Sequence, residues 1–250
     1  MGVTGMDQSK ILDSLRSHSL FGRNDIWEIM NSGTRQYSKN TAYALLQQYL
    51  KAGSVSRVGR NKYTVTAEKT ASYEHQYSEL AEDVARSVLR DYPYLDFTVF
   101  ELVQLNRFVN HQIGHNVIFL SVESDLGDYV FDRLKTEHPG HVLNHPSVEL
   151  YDQYWTDDLI IINRLLTEAP KGINQPWHTS LEKLLVDLMA EPLYQEIIHR
   201  GEYPSIYEGA FQNYVIDESR MFRYARRRNA ADRLRTFIAE ETSIQLRTVK

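Results

Sequence analysis

The sequence contains no cysteine, and it has no apolar run that approaches the roughly 18 residues needed to span a bilayer. Without cysteine, disulfides, thiolate zinc sites and cysteine nucleophiles are all excluded. The first residues, MGVTGMDQSK, show no apolar core followed by small residues, so we expect no secretion signal. These absences predict a cytoplasmic protein that does not enter the membrane.

Two common catalytic signatures are also absent. The chain has neither a glycine-rich phosphate loop nor a Gly-x-Ser-x-Gly elbow, so the usual signs of nucleotide hydrolysis and acyl transfer are missing. An apolar share of 42% and a charged share of 24% are typical of a globular protein, and 250 residues are enough for one large domain or two ordinary ones.

Charge is distributed unevenly along the chain. Residues 1–70 carry ten Lys or Arg and five Asp or Glu, a balance of +5, although the whole chain has a net charge of -5. The remaining residues hold 18 basic and 28 acidic side chains, a balance of -10. A small basic module joined to a larger acidic one is typical of a DNA-binding domain attached to a body that itself avoids DNA.

The most informative stretch is 34–65, which reads TRQYSKNTAYALLQQYLKAGSVSRVGRNKYTV. Its first half predicts a helix with one buried face, because apolar residues recur at helical spacing at Ala42, Leu45, Leu46, Tyr49 and Leu50. Ser38 is placed to cap this helix and Gly53 to end it. Two short strands then alternate polar and apolar residues around Gly59-Arg60-Asn61, which predicts a hairpin with a cationic tip.

Two further short helices are predicted before this stretch, one capped by Asp7 and one by Asn24 or Asp25. Three helices and a hairpin in about 65 residues fit a winged helix-turn-helix, whose third helix enters the DNA major groove. A three-helix protein-interaction module with a basic surface is the alternative. The predicted DNA-binding residues are Arg35, Gln36, Ser38, Lys39, Asn40, Tyr43 and Gln47, with Arg57, Arg60 and Lys62 of the hairpin.

Periodicity is lost between Ala67 and Tyr77, so we place a domain boundary there. The sequence predicts an α+β protein with a winged helix-turn-helix domain over 1–70 and a larger C-terminal α/β domain with a helical tail over 71–250. Residues 94–166 alternate strands and helices, which indicates a small, mainly parallel sheet, and 178–240 is helical. The predicted strands cover 94–99, 116–122, 141–143 and 159–165, and the predicted helices cover 78–91, 100–111, 126–137, 181–190, 203–214, 217–228 and 229–241.

Three acidic residues lie near predicted helix and strand ends, namely Glu101, Glu123 and Asp125. They could be the ligands of a metal-dependent nuclease that activates a metal-bound water. No lysine follows a strand carboxylate by two residues, as such a site would require to stabilise the attacking oxygen. A solvated acidic surface is therefore the preferred interpretation.

The histidines give no stronger metal signal. His111 and His115 have the spacing of two ligands on a helix, but Gly114 lies between them, and Gln112 stands where a zincin has its glutamate. Three more histidines gather around prolines and are better explained by a surface turn, namely His138, His141 and His145. We predict no metal, no cofactor and no enzymatic activity.

Seven arginines lie between Arg220 and Arg235, and three of them are consecutive. Three successive helical residues span most of the circumference, so one or two must face inward or toward a partner. The sequence leaves two interpretations open. Either these side chains pair with acids of the body such as Glu182, Asp187 and Glu191, or they form a second contact with nucleic acid or a partner through Arg223, Arg226, Arg227 and Arg228.

The order of these parts resembles a known family. Thr179–Leu188 reads TSLEKLLVDL, and Asn213–Arg228 reads NYVIDESRMFRYARRR. Preceded by a winged helix and an α/β segment, these stretches are similar to the AbiEi-type antitoxins, which are transcriptional regulators of bacterial abortive-infection and type IV toxin-antitoxin operons. The resemblance covers most of the chain, and LEKLLVDL and RYARRR are its most specific parts.

The resemblance implies an autorepressor that binds inverted repeats in double-stranded DNA upstream of its own operon, as a monomer or homodimer. It also implies a functional link to a nucleotidyltransferase toxin, which such antitoxins usually counteract without a stable direct complex. Two alternatives stay open. The C-terminal domain is a divalent-metal nuclease in one, and in the other it senses a ligand or phage protein and releases the N-terminal domain from DNA.

Overall fold

The computed structural model of the chain describes residues 8–18, 20–33, 36–51, 54–65 and 73–247. The chain forms two compact units. The N-terminal unit comprises Met1–Ser72 with Asn213–Ser219 and Leu246–Lys250, and the C-terminal unit comprises Tyr73–Gln212 and Arg220–Gln245. Helices and strands occur in both units, so the predicted α+β class is confirmed.

Within its described residues, the N-terminal unit has three helices followed by a hairpin. The helices are α1 (Gln8–Arg16), α2 (Arg23–Met30) and α3 (Lys39–Lys51), and the antiparallel strands are β1 (Val55–Gly59) and β2 (Lys62–Val65). Phe21, between α1 and α2, pairs with the second strand. Its N–H donates to the Tyr63 carbonyl at 2.9 Å, and the Tyr63 N–H donates back at 2.8 Å.

One apolar core holds these elements together. It contains Ile11, Leu15, Phe21, Ile26, Met30, Ala42, Leu45, Leu46, Tyr49, Val55 and Tyr63. The residues from α3 follow the i, i+3, i+4, i+7 spacing, so the predicted buried face is confirmed, although Leu50 is only partly buried. Gly53, predicted to end this helix, lies outside the described residues.

The turn between α2 and α3 is held by two side chains. The Asn31 amide donates to the Trp27 carbonyl at 2.7 Å and to the Tyr37 carbonyl at 3.3 Å, and its oxygen accepts from the Tyr37 N–H at 2.6 Å. The Trp27 indole N–H donates to the same Tyr37 carbonyl at 2.9 Å. These bonds satisfy backbone groups of Trp27 and Tyr37 and tie the end of α2 to the residue before the cap of α3.

The C-terminal unit is built on a four-stranded sheet. Its strands are β3 (Phe97–Glu101), β4 (Val117–Val122), β5 (Val142–Asn144) and β6 (Leu159–Arg164), in the order β3-β4-β6-β5. β4, β6 and β5 are parallel, whereas β3 is antiparallel to β4. All four predicted strands are present with shifted ends, and the antiparallel edge strand makes the sheet mixed.

Helices cover both faces of this sheet. α4 (Glu79–Asp91) and α5 (Gly127–Glu137) share a core with Ile118 and Ile160 on one face. On the other face, the ring centroids of Phe119 and Tyr194 are 4.5 Å apart. The remaining helices of the described chain are α6 (Val148–Tyr154), α7 (Leu181–Ala190), α8 (Pro192–Ile197), α9 (Tyr203–Asn213), α10 (Glu218–Arg227) and α11 (Ala231–Glu241).

Two predicted helix starts are confirmed in this unit by their caps. The Ser78 hydroxyl accepts from the Ala81 N–H at 3.2 Å at the start of α4. The Ser180 hydroxyl accepts from the Lys183 N–H at 3.3 Å at the start of α7. Each serine satisfies one backbone donor that has no partner inside its helix.

The helix predicted over 100–111 is wrong. Residues 100 and 101 continue β3, because the ladder with β4 extends through them, and the 3-10 helix Leu102–Arg107 follows. Asn106 then closes the loop, since its side chain accepts from the Ile113 N–H at 2.7 Å and donates to the Ile113 carbonyl at 3.1 Å. Pairing with a distant strand thus outweighs the local helical pattern.

The two edges of the sheet are protected in different ways. On the outer side of β3, the Val99 N–H donates to the Trp177 carbonyl at 2.7 Å, and His178 forms a parallel bridge with Val99. At the opposite edge, β5 is only three residues long. Long free edges are absent from the described sheet.

Among the helices of the described ranges, none combines the length and the apolar character that a bilayer crossing requires.

Asn31→Ala should destabilise the N-terminal unit by about 1–2 kcal/mol, because the Tyr37 N–H loses its acceptor. Urea unfolding of the full chain measures the effect. Ser32→Ala is the matched control, since the Ser32 hydroxyl is exposed and donates only to the Ile29 carbonyl. Equal unfolding midpoints for the two variants would show that the turn does not depend on Asn31.

Candidate nucleic-acid interface

The outer face of α3 is the side of this helix opposite the core. It consists of Asn40, Tyr43, Ala44, Gln47 and Gln48, which follow helical spacing and are all exposed. α3 contains no Asp or Glu. Amide side chains without a neighbouring carboxylate suit contacts with base edges, because an amide can donate to and accept from the same base.

The predicted contact residues at the start of α3 differ from one another in their surroundings. The Ser38 hydroxyl accepts from the Thr41 N–H at 3.1 Å, so the predicted cap is confirmed. The Lys39 ammonium lies 5.3 Å from the centroid of the Trp27 ring. Gln36 is exposed, and Arg35 lies outside the described residues.

Arg23, at the start of α2, joins α3 to the hairpin. Its guanidinium carbon lies 4.6 Å from the centroid of the Tyr43 ring. Its backbone N–H donates to the Asn61 side chain at 3.2 Å, and a hydrogen bond with Tyr63 raises the pKa of Arg23. Sequence reasoning missed this exposed cation, because no helical or strand spacing links it to Tyr43.

The hairpin cations are not equivalent. Asn61 adopts a φ of 54° in the turn between β1 and β2, a left-handed conformation that a short polar side chain tolerates. Arg57 is exposed and its Nε donates to the Gly59 carbonyl at 3.1 Å, whereas Lys62 is half-buried. Arg60 is exposed and forms no such bond in the described chain. Arg60 is therefore the hairpin cation whose guanidinium is both exposed and not hydrogen-bonded to a described residue.

In the C-terminal unit, two arginines of α10 share one acidic partner. Arg223 and Arg227 lie one helical turn apart and approach Glu168 at 3.4 Å and 3.1 Å. All three side chains are more than two-fifths exposed, so these ion pairs contribute little to stability. Arg226 is exposed and forms no ion pair with a described residue.

Arg228 is different, because its side chain is only 14% exposed. Its Nη2 lies 2.9 Å from Glu191, and its Nε lies 3.3 Å from Asp187. Arg228 therefore pairs with acidic residues of the C-terminal unit, as one of the two interpretations of the sequence predicts. Contact of Arg223, Arg226 or Arg227 with nucleic acid stays a prediction.

The acidic residues of the nuclease hypothesis do not form one site. Glu101 pairs with Ile118 near the start of β4, whereas Glu123 and Asp125 follow the end of that strand. About 17 Å of strand separates the two positions. The described residues contain no group of three side chains that could hold a metal ion. The nuclease hypothesis therefore loses its expected ligands.

The predicted histidine pair is also separated. His111 Nδ1 lies 2.8 Å from a carboxylate oxygen of Glu202, and His115 packs edge-on against Trp155 with ring centroids 5.4 Å apart. Because no helix forms over 100–111, the two histidines do not share a helical face. His138, His141 and His145 belong to no metal-binding group of described residues either.

Glu101 anchors the segment that leads into α4. Its carboxylate accepts hydrogen bonds from His75, from the Ser78 N–H and hydroxyl, and from Asn116, at distances between 2.5 and 3.0 Å. Burial alone would raise the pKa of Glu101, but these hydrogen bonds outweigh it and hold the pKa below its ordinary value. The arrangement is that of a structural carboxylate.

Fold and geometry together define a two-unit α+β protein whose N-terminal unit carries an exposed polar helix beside a basic hairpin. Residues 41–244 match the model of a family described as a family of unknown function (DUF6577), and the chain belongs to that family. The match includes most of α3, the hairpin and the sheet. No curated protein matches the chain.

Acid should remove the stabilisation that Glu101 provides. Because the folded-state pKa lies below the unfolded value of about 4.3, the stabilisation is present above that pH and is lost as pH falls through the folded-state pKa. Glu101→Gln should cost about 1–3 kcal/mol near neutral pH and less in acid. Urea titrations from about pH 6 to about pH 3 measure this difference.

Glu240→Gln is the matched control, because Glu240 is exposed near the end of α11. Its unfolding curve should follow that of the unmodified protein at each pH. A constant difference between Glu101→Gln and the unmodified protein across the range would contradict the assigned role of Glu101.

Proposed function

We propose that the N-terminal unit is a winged helix-turn-helix and that the protein is a sequence-specific DNA-binding repressor of its own operon. The order of parts supports this proposal. α1, the bridging residue Phe21, α2, α3 and the hairpin follow one another as the helices and strands of a winged helix-turn-helix do. α3 is then the recognition helix and β1–β2 the wing.

The observation that carries the proposal is the exposed, acid-free outer face of α3, where Arg23 lies against Tyr43, followed in the chain by a hairpin with an exposed Arg60. A helix with its side chains is about 10–12 Å across, so α3 would fit the major groove of DNA, which is about 12 Å wide. Asn40 and Gln47 would read adenine through paired hydrogen bonds. Arg60 would contact phosphates or the adjacent minor groove, which sets the register of the helix on DNA.

The charge of the remaining chain supports binding through the N-terminal unit. Residues 71–250 have a balance of -10, and this net negative charge opposes binding of a phosphate backbone. Two copies on an inverted repeat would occupy half-sites about 34 Å apart or a multiple of that distance. With the expected nuclease ligands separated, binding without cleavage is the function we infer.

The antitoxin role rests on the resemblance of TSLEKLLVDL and NYVIDESRMFRYARRR to the AbiEi-type antitoxins. We infer a neighbouring gene for a nucleotidyltransferase toxin, which this protein counteracts without a stable complex. Co-expression should restore growth to cells that express the toxin, and co-purification should recover no complex. A gene neighbourhood without such a reading frame would remove the antitoxin role and leave the repressor role standing.

Asn40→Ala should reduce discrimination at one base pair of the operator by about 1–3 kcal/mol and leave binding to unrelated DNA unchanged. Anisotropy titrations against the operator and its single-base variants measure this loss. Gln212→Ala is the control, because it removes an exposed amide from the C-terminal unit. Unchanged discrimination in Asn40→Ala would show that this residue reads no base.

Arg60→Ala should weaken binding to all DNA sequences and lower the slope of log affinity against log salt by about 1, because one phosphate contact is lost. Arg16→Ala makes the same charge change on α1, where Arg16 pairs with Asp13 at 3.4 Å. Its slope should match the unmodified protein. An equally lowered slope in both variants would indicate a general charge effect rather than a phosphate contact of the hairpin.

A further inference from the structure

A row of polar side chains crosses the face of the sheet on which α7 packs. Thr98 of β3 pairs in register with Ser121 of β4, which pairs with Asn163 of β6. Positions two residues away on the same face are apolar, including Phe100 and Phe119. The row lies at the carboxyl ends of β4 and β6, and ligands of open α/β sheets bind outside the carboxyl ends of parallel strands.

α7 and α10 place charged and phenolic groups over this row. The Lys183 ammonium donates to Asp187 at 2.6 Å and to the Ser121 hydroxyl at 3.4 Å. The Tyr224 hydroxyl donates to the other oxygen of Asp187 at 2.9 Å. Lys183, Asp187 and Tyr224 are all buried. The carboxylate of Asp187 thus has donors on both oxygens before Arg228 is considered.

A small cavity lies among these groups. Its volume is about 10 Å³, which is the space of roughly one water molecule. Residues from the strand ends, α7, the start of α8 and α10 line it, namely Ser121, Asn163, Arg164, Lys183, Asp187, Glu191, Tyr194, Tyr224 and Arg228.

Several groups around this cavity have unused hydrogen-bond donors. Arg228 Nε is buried and makes no hydrogen bond, because its approach to Asp187 at 3.3 Å lacks hydrogen-bond geometry. The Asn163 amide and the exposed Arg164 guanidinium also line the cavity and donate to no described residue. Three cationic side chains face two carboxylates here, so the lining carries one excess positive charge.

We propose that this cavity binds a phosphate group, either free or carried by a nucleotide. One phosphate oxygen would enter the cavity and accept from Arg228 Nε, and the other oxygens would lie at the mouth beside Arg164 and Asn163. Guanidinium groups bind phosphate oxygens through charge-assisted and often paired hydrogen bonds. The anion would accept from the free donors and would be attracted by the excess positive charge of the lining.

A purely structural role accounts for only part of this cluster. Asp187 is already satisfied by Lys183 and Tyr224, and Glu191 holds Arg228 through its Nη2. Buried ions often stabilise a protein no more than apolar residues of the same volume. Arg164 contributes no ion pair to the described fold, yet it lines the cavity. A ligand with several acceptor oxygens explains these surplus donors.

The test follows the Nε–H signals of the arginine side chains in the full-length protein by ¹H–¹⁵N NMR. Inorganic phosphate and adenosine monophosphate are titrated separately at constant ionic strength. The Arg228 and Arg164 signals should shift and saturate. Tighter binding of the nucleotide would identify a nucleotide site, and equal binding would identify phosphate alone. Absence of a saturable shift with both probes would overturn the proposal.

Arg164→Ala should raise the Kd for the bound probe by about 10–100-fold, because a charge-assisted contact is lost from an exposed rim residue. Arg164→Lys should recover only part of the affinity. Arg233→Ala is the matched control, since it removes an exposed arginine of α11 away from the cavity. Equal loss in Arg164→Ala and Arg233→Ala would show nonspecific attraction and refute the site. No DNA is present, so this result is independent of the proposed repressor function.

Discussion

The buried carboxylate of Asp187 is the constraint on which the C-terminal unit depends. It accepts from Lys183 on its own helix and from Tyr224 on α10, and Arg228 lies beside it. Loss of Tyr224 and Arg228 would leave the buried Asp187 carboxylate with only Lys183 among these three partners, at a cost of about 3–5 kcal/mol. Residues of the stretches LEKLLVDL and RYARRR therefore meet at one carboxylate. The same pairing leaves the donor of Arg228 free for the phosphate that we propose.

The two units arrange polar groups in opposite ways. In the N-terminal unit, polar residues on the outer face of α3 stay exposed, while Asn31 and Trp27 fix the backbone that precedes the helix. Such a surface can contact a large partner with little rearrangement. In the C-terminal unit, polar groups at the ends of the central strands lie under helices. Only a small ligand could reach them there. The two proposals therefore assign DNA to a surface of the N-terminal unit and a phosphate group to a site within the C-terminal unit.

Local sequence patterns predicted those parts of the fold that depend on local interactions. α3 was visible from its apolar spacing and from Ser38, and the hairpin from the turn that precedes Lys62. The helix expected over 100–111 was wrong because pairing with β4 decides the conformation there. α6 and α8 were not predicted, because helices of seven and six residues are too short to show a clear helical period of apolar residues.

The candidate sites were predictable to different extents. Most predicted DNA-contact residues lie on or beside α3 and the hairpin, because both elements are local. Arg23 beside Tyr43, and the row of Thr98, Ser121 and Asn163, required tertiary packing and strand register. A one-residue slip in register would turn a polar side chain to the other face, and single-sequence patterns do not fix that register.

The protected edges of the sheet limit how two copies of this protein can associate. Residues 177 and 178 occupy the outer side of β3, and three-residue β5 offers a second chain few backbone groups. Joining two such sheets into one continuous sheet would gain few hydrogen bonds. Two copies of this protein would therefore associate through side-chain contacts rather than through one shared sheet.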